Sequence, residues 1–88
     1  MLRISSIGRS NGAVALRLEG RVLGPWVEEL RRSSDEVLDA GGTLTLDLTD
    51  VSFIDGGGIA LLKNLMGLGV PVVNCSAFVA AQLKGEDR

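Results

Sequence analysis

The 88-residue chain has no histidine, no tyrosine and a single cysteine, and its aromatic side chains amount to one Trp and two Phe. Each absence closes a class of chemistry. Without imidazole there is no Ser-His or Cys-His dyad and no histidine ligand for a metal. One cysteine forms neither an internal disulfide nor a zinc cluster. Long apolar runs are missing as well. The most apolar region, residues 59–73, is interrupted by Lys63, Asn64, Gly67, Gly69 and Pro71, and it falls short of the roughly 20 residues that a bilayer span needs. Residues 1–10 hold no apolar stretch of the kind a secretory signal carries. Nine Lys+Arg against eleven Asp+Glu give a net charge of -2, with no basic run beyond Arg31-Arg32. That balance argues against nucleic-acid binding through a basic footprint. The setting expected from these features is cytoplasmic and reducing, with no direct membrane insertion.

What is present is an ordinary globular composition, 45% hydrophobic and 23% charged, at a length that suits one domain over residues 1–88 with a thin core. The one excess is glycine. Twelve residues in 88 is about twice the usual share of roughly 7%, so the positions of the glycines become informative.

Residues 2–7 and 13–19 read as strands, the second with Val14, Leu16 and Leu18 alternating against Ala15, Arg17 and Glu19. Asn11-Gly12 between them is a tight-turn signal, so the pair is expected to form a β-hairpin. A loop over Gly20–Gly24 leads to Pro25, which suits the first turn of a helix. Trp26, Val27, Leu30, Val37 and Leu38 recur at helical spacing, with Ser34 on the same stripe, and Gly41-Gly42 supplies the stop. Residues 43–48 alternate again, with Leu44, Leu46 and Leu48 inward and Asp47 outward; residues 51–54 read as a loop and short extended segment containing Ser52. After Asp55-Gly56-Gly57-Gly58 comes a second helix, nearly apolar all round, ended by Gly67 and Gly69. Residues 70–75 read as a last strand with Cys75 as a small core residue. Ser76 caps a terminal helix in which Phe78, Val79 and Leu83 reach the core, and residues 85–88 are expected to fray. The order β-β-α-β-α-β-α implies an α/β fold: a mixed sheet of about four strands with an N-terminal hairpin and helices mainly on one face.

The informative position is Asp55. It follows an extended segment and precedes a helix whose first turn holds three glycines, so its carboxylate is placed to cap the helix start. Gly56, Gly57 and Gly58 strip that end of side chains. The result is a bare, electropositive corner that another protein's backbone, or an anion, can approach closely. A plain helix cap is the simpler alternative. The glycines form neither a G-x-G-x-x-G fingerprint nor a P-loop. Nothing in the chain assembles a nucleophile with a base, so it reads as a non-enzyme with no cofactor and no metal.

The run Leu46-Asp47-Leu48-Thr49-Asp50-Val51-Ser52-Phe53-Ile54-Asp55-Gly56-Gly57-Gly58, with Leu18-Glu19-Gly20-Arg21 at the end of the second strand, resembles STAS domains. That family includes anti-sigma factor antagonists and the cytoplasmic domains of sulfate transporters. The resemblance spans nearly the whole chain and implies a bacterial signalling domain in transcription regulation. Its partner would be a protein, either an anti-sigma factor of the kinase-like type or a transporter subunit. In that family the helix start after the Asp carries a Ser or Thr that the partner kinase phosphorylates. Here Gly56 and Gly57 stand at those positions, so no acceptor hydroxyl is present. Leu23 stands where many antagonists have an Asp.

The resulting expectation is a protein-interaction module that docks a regulatory partner through Asp55, Gly56, Gly57, Gly58 and Ile59, with Val22 and Leu23 from the nearby loop, and without phosphorylation at residues 56 and 57. Modification of Ser52 or Thr49 would mark regulation that has moved. The alternatives are a sensor of a nucleotide or small anion and an accessory subunit of a membrane transporter. The partly open sheet face leaves a homodimer open as well.

Overall fold

Apolar alternation along two neighbouring strands sets the sheet. The computed structural model describes residues 2–85, which form β1 (Leu2–Ser10), β2 (Ala13–Val22), α1 (Pro25–Asp39), β3 (Thr43–Ile54), α2 (Gly56–Gly67), β4 (Val72–Val73) and α3 (Ala77–Gly85). The sheet order is β1-β2-β3-β4. β1 and β2 pair antiparallel, whereas β2 with β3 and β3 with β4 pair parallel. The expected α/β architecture, a mixed sheet with an opening hairpin, is therefore the one formed. At the hairpin tip Asn11 and Gly12 both have positive φ, 51° and 82°, the backbone that a two-residue turn between twisted strands demands.

Leu16 and Leu18 of β2 and Leu44, Leu46 and Leu48 of β3 are buried. They share the core with Leu30 of α1, Leu62 of α2 and Val79 of α3. The intervening Ala15, Arg17 and Thr45 are only partly covered, so one sheet face carries the core and the other is partly open.

Strand lengths depart from the sequence reading for identifiable reasons. β1 runs on past Ile7 to Ser10, and β2 past Glu19 to Val22, so the connection to α1 shrinks to Leu23 and Gly24. β3 does not stop at Leu48. Its register against β2 slips between Arg17 and Glu19 and again between Gly20 and Arg21, each slip leaving an extra residue on β3. These bulges stretch the spacing of buried residues from Leu46-Leu48 to Leu48-Val51-Ile54. A strict period of two fails there although the strand continues. β4 is shorter than expected, at two residues. Pro71 precedes it and cannot donate, and Asn74 follows with φ 59°, which turns the chain out of the sheet.

Two side chains also depart. Phe78 is 57% exposed rather than in the core; Val79 and Leu83, four apart on α3, take the buried face. Asp47, expected on the outward face, is buried, held by its bonds from Thr49. Ser34 lies on the buried stripe of α1 as expected, and its hydroxyl has no hydrogen-bond partner. Ser76 does cap α3, accepting from the Val79 N–H at 3.2 Å. Gly85 is the last residue of α3, and the rest of the segment expected to fray, 86–88, lies outside the described residues.

Candidate functional site

β3 delivers the chain to Asp55, whose backbone is still extended at φ -85° and ψ 178°. Its N–H donates to the carbonyl of Val22 at 3.0 Å, so the end of β2 fixes where the turn begins. The Asp55 side chain then joins two helix starts. Oδ1 accepts from the Gly58 N–H at 2.8 Å, inside the first turn of α2. Oδ2 accepts from the Gly24 N–H at 3.0 Å. Gly24 is the N-cap of α1, has positive φ, and offers no side chain of its own as a cap. One carboxylate thus serves the positive ends of both helices. The Gly58 N–H, then that of Gly24, hold the carboxyl below its ordinary value; partial desolvation opposes them, and the Gly57 N–H adds to the lowering. Asp55 is a charged tie between α1 and α2.

The three glycines after it differ in environment. Gly56 and Gly57 are exposed, whereas Gly58 is buried. A Cβ on Gly56 would meet nothing within 4 Å, and one on Gly57 only Asp55 Oδ1 at 3.6 Å. A Cβ on Gly58 would stand 2.7 Å from Ile54 Cγ2, 2.9 Å from Val22 Cγ1 and 3.0 Å from the Val22 carbonyl oxygen. Close packing of α2 on the sheet therefore requires glycine at 58. Nothing in the fold requires it at 56 or 57.

The other expected site residues divide in two. Leu23 is half-buried beside the corner, and its carbonyl accepts from the Trp26 N–H at 3.1 Å. Val22 and Ile59, read from the sequence as surface, are core residues at 0% and 5% exposure. Extension of β2 carries Val22 into the sheet, and Ile59 lies on the inward side of α2. Their side chains support the corner from beneath and cannot form its outer face.

Ser52 and Thr49 lie on β3 rather than in a loop. Ser52 Oγ donates to the Gly20 carbonyl at 3.4 Å. The Thr49 hydroxyl donates to Asp47 Oδ1, which also accepts from the Thr49 N–H at 2.9 Å. Those two Thr49 bonds hold the Asp47 carboxyl below its ordinary value against desolvation, with Asn74 and Arg17 adding smaller contributions.

Two participants gave little signal in the sequence. In the sequence Gly24 reads as a loop boundary, and only its contact with Asp55 shows its role. Gln82 of α3 donates from Nε2 to the Ile54 carbonyl at 2.8 Å and accepts from the Ile54 N–H at 3.2 Å. No local pattern marks a lone glutamine as the partner of a residue 28 positions away. Surface hollows of about 390 and 540 Å³ lie elsewhere, lined in part by Val14, Val37 and Gly42, and by Leu2, Arg3 and Glu19. Among the described residues no group of three or more His, Cys, Asp or Glu is placed to hold a metal ion. Among the same residues no helix is long and apolar enough to cross a membrane.

A family model described as "Mlab, STAS domain" matches residues 5–83. No curated protein gives a significant match. Among solved structures the chain is similar to the anti-sigma factor antagonist SpoIIAA in its unphosphorylated form, with a TM-score of 0.73 and 19% sequence identity. The superposition covers 93% of this chain and 82% of that one. At that identity the likeness is one of fold.

Proposed function

The chain belongs to the STAS domain family, and on that premise we propose that it is a non-enzymatic interaction module. It docks a regulatory protein through the corner at residues 55–58 and does so without phosphorylation at residues 56 and 57. The carrying observation is the contrast among the three glycines. Packing accounts for Gly58 alone, so the missing side chains at Gly56 and Gly57 answer to something outside the fold. A partner whose backbone lies against the first turn of α2 would need that space. The Asp55 carboxylate already serves the positive ends of both helices, so the corner favours close approach of a partner's backbone rather than an acidic contact. Val22 and Ile59 keep the corner rigid from below, while Leu23 flanks it.

Neither glycine offers a hydroxyl, so a phosphate cannot be attached at either position. Control of binding then rests on the partner's availability or on another residue. Comparison of three baits in native extract, followed by direct binding to the purified captured protein, tests this reading. Gly57→Arg is expected to weaken binding by at least tenfold. Asp39→Arg, at the opposite end of α1, is expected to bind within twofold of wild type. Undiminished binding by Gly57→Arg would refute the docking site.

A further inference from the structure

β3 is paired on only one side near the corner. β4 reaches only Leu46 and Asp47, while the β2 pairing continues to Val22 opposite Ile54. Successive residues of a strand turn their backbone groups to opposite edges. Asp55 donates toward β2, to Val22. The N–H and carbonyl of Ile54 therefore face the edge that β4 has already left. Ile54 is fully buried, and buried backbone groups left unpaired are costly.

The Gln82 amide meets both of them, through one donated and one accepted bond. A single side chain thus does at Ile54 what a neighbouring strand residue would do. Ile54 is also the residue whose Cγ2 lies against Gly58 and whose successor is the capping aspartate. The last strand residue before the corner is held from α3 on one edge, and Asp55 is held from β2 on the other.

From this arrangement we infer that Gln82 is a positioning residue of the corner: through its two bonds to Ile54, α3 sets the orientation of Asp55 and of the first turn of α2. The inference rests on the docking reading for its functional meaning, but its structural content concerns the free protein alone. It makes α3 part of the interaction apparatus. Any event that lifts α3 from the end of β3 would loosen the site.

The experiment compares wild type, Gln82→Met and Gln82→Glu by NMR in the absence of any partner. Met keeps the length of the side chain and removes both bonds, whereas ionised Glu keeps an acceptor for the Ile54 N–H but offers no donor to its carbonyl. Hydrogen exchange at Ile54 and Gly58 is expected to speed by about tenfold or more in Gln82→Met, with a smaller change in Gln82→Glu. Exchange at Leu18 and Leu46, deep in the sheet, stays within twofold. The Asp55 carboxyl titration is expected to move up toward its ordinary value in Gln82→Met, a readout that loss of a merely stabilising contact would leave in place. Unchanged exchange at Gly58 with an unchanged Asp55 titration overturns the inference. A uniform rise at all four amides does so too, because Gln82 would then be an ordinary stabilising contact. If the corner loosens as expected but partner binding is unaffected by Gly57→Arg, the positioning role stands and the docking reading fails.

Discussion

The contrast between Gly58 and Gly56 can be tested by adding one methyl group to each. In Gly58→Ala the new Cβ would sit 2.7 Å from Ile54 Cγ2 and 2.9 Å from Val22 Cγ1, well inside the roughly 3.5–4.0 Å optimum for carbon atoms. Neither neighbour retreats easily, since both side chains are fully buried. The third contact, the Val22 carbonyl oxygen at 3.0 Å, is fixed by its bond from the Asp55 N–H. Overpacking of this kind costs about 1–3 kcal/mol, and replacing glycine by alanine in a helix returns up to about 1 kcal/mol. With two immobile side chains and a fixed carbonyl, the upper part of the range applies, for a net loss of about 2 kcal/mol. In a domain of this size that lowers Tm by about 8–16 °C. Gly56→Ala meets no neighbour and should gain about 0.5 kcal/mol, reduced from the helix-interior value because the site is in the first turn. The assay is thermal and urea unfolding of the two variants beside wild type, followed by circular dichroism and by fluorescence of the only tryptophan, Trp26. Equal stability of the two variants, or loss at 56 with none at 58, would refute the packing account and the functional reading built on it.

Three further outcomes are expected. Asp55→Ala should cost about 1 kcal/mol or somewhat more at neutral pH, the usual worth of a helix cap. Because the folded carboxyl titrates below its unfolded value, this contribution is present above the ordinary carboxylate range near ~3.9. It fades as pH falls through the lowered folded pKa. Urea titrations of both proteins from pH 7 downward should show the gap narrowing only at acid pH, and a gap independent of pH would contradict the charged tie. Ser34→Ala should stabilise the protein by about 1 kcal/mol, since it removes a buried hydroxyl that has no partner and improves helix propensity; a lower urea midpoint would mean that the hydroxyl is satisfied in solution. Incubation with an anti-sigma kinase and ATP, followed by peptide mapping, should place no phosphate at residues 56 and 57. Phosphate on Ser52 or Thr49 would relocate the control point to β3.

Much of the fold was legible because its signals are local. Asn11-Gly12 marked the hairpin, Pro25 marked the start of α1, and the alternation of Leu44, Leu46 and Leu48 marked the middle strand. Beyond Leu48 the alternation gave out, although the strand did not. Two bulges shift the period there, and a bulge becomes visible only against the partner strand. At the site, the sequence marks Asp55 as a cap, yet its second acceptor oxygen goes to Gly24, 31 residues earlier. Val22 and Ile59 read as surface residues in the sequence because a loop and a helix start are commonly exposed. Their burial follows from the extra length of β2 and from the side of α2 that meets the sheet.

The order of elements, the family, the missing imidazole and hydroxyl groups, and the aspartate that opens α2 are all legible along the chain. Each depends on residue identity or on short-range spacing, so each can be read without a partner in space. The tertiary structure decided which glycine the fold requires and which two it leaves free. It also decided that one carboxylate joins two helices and that Gln82 stands in for a strand. Those properties depend on contacts between residues tens of positions apart. Chain spacing carries no record of such distances, which are set by how the helices and the sheet settle on a common core.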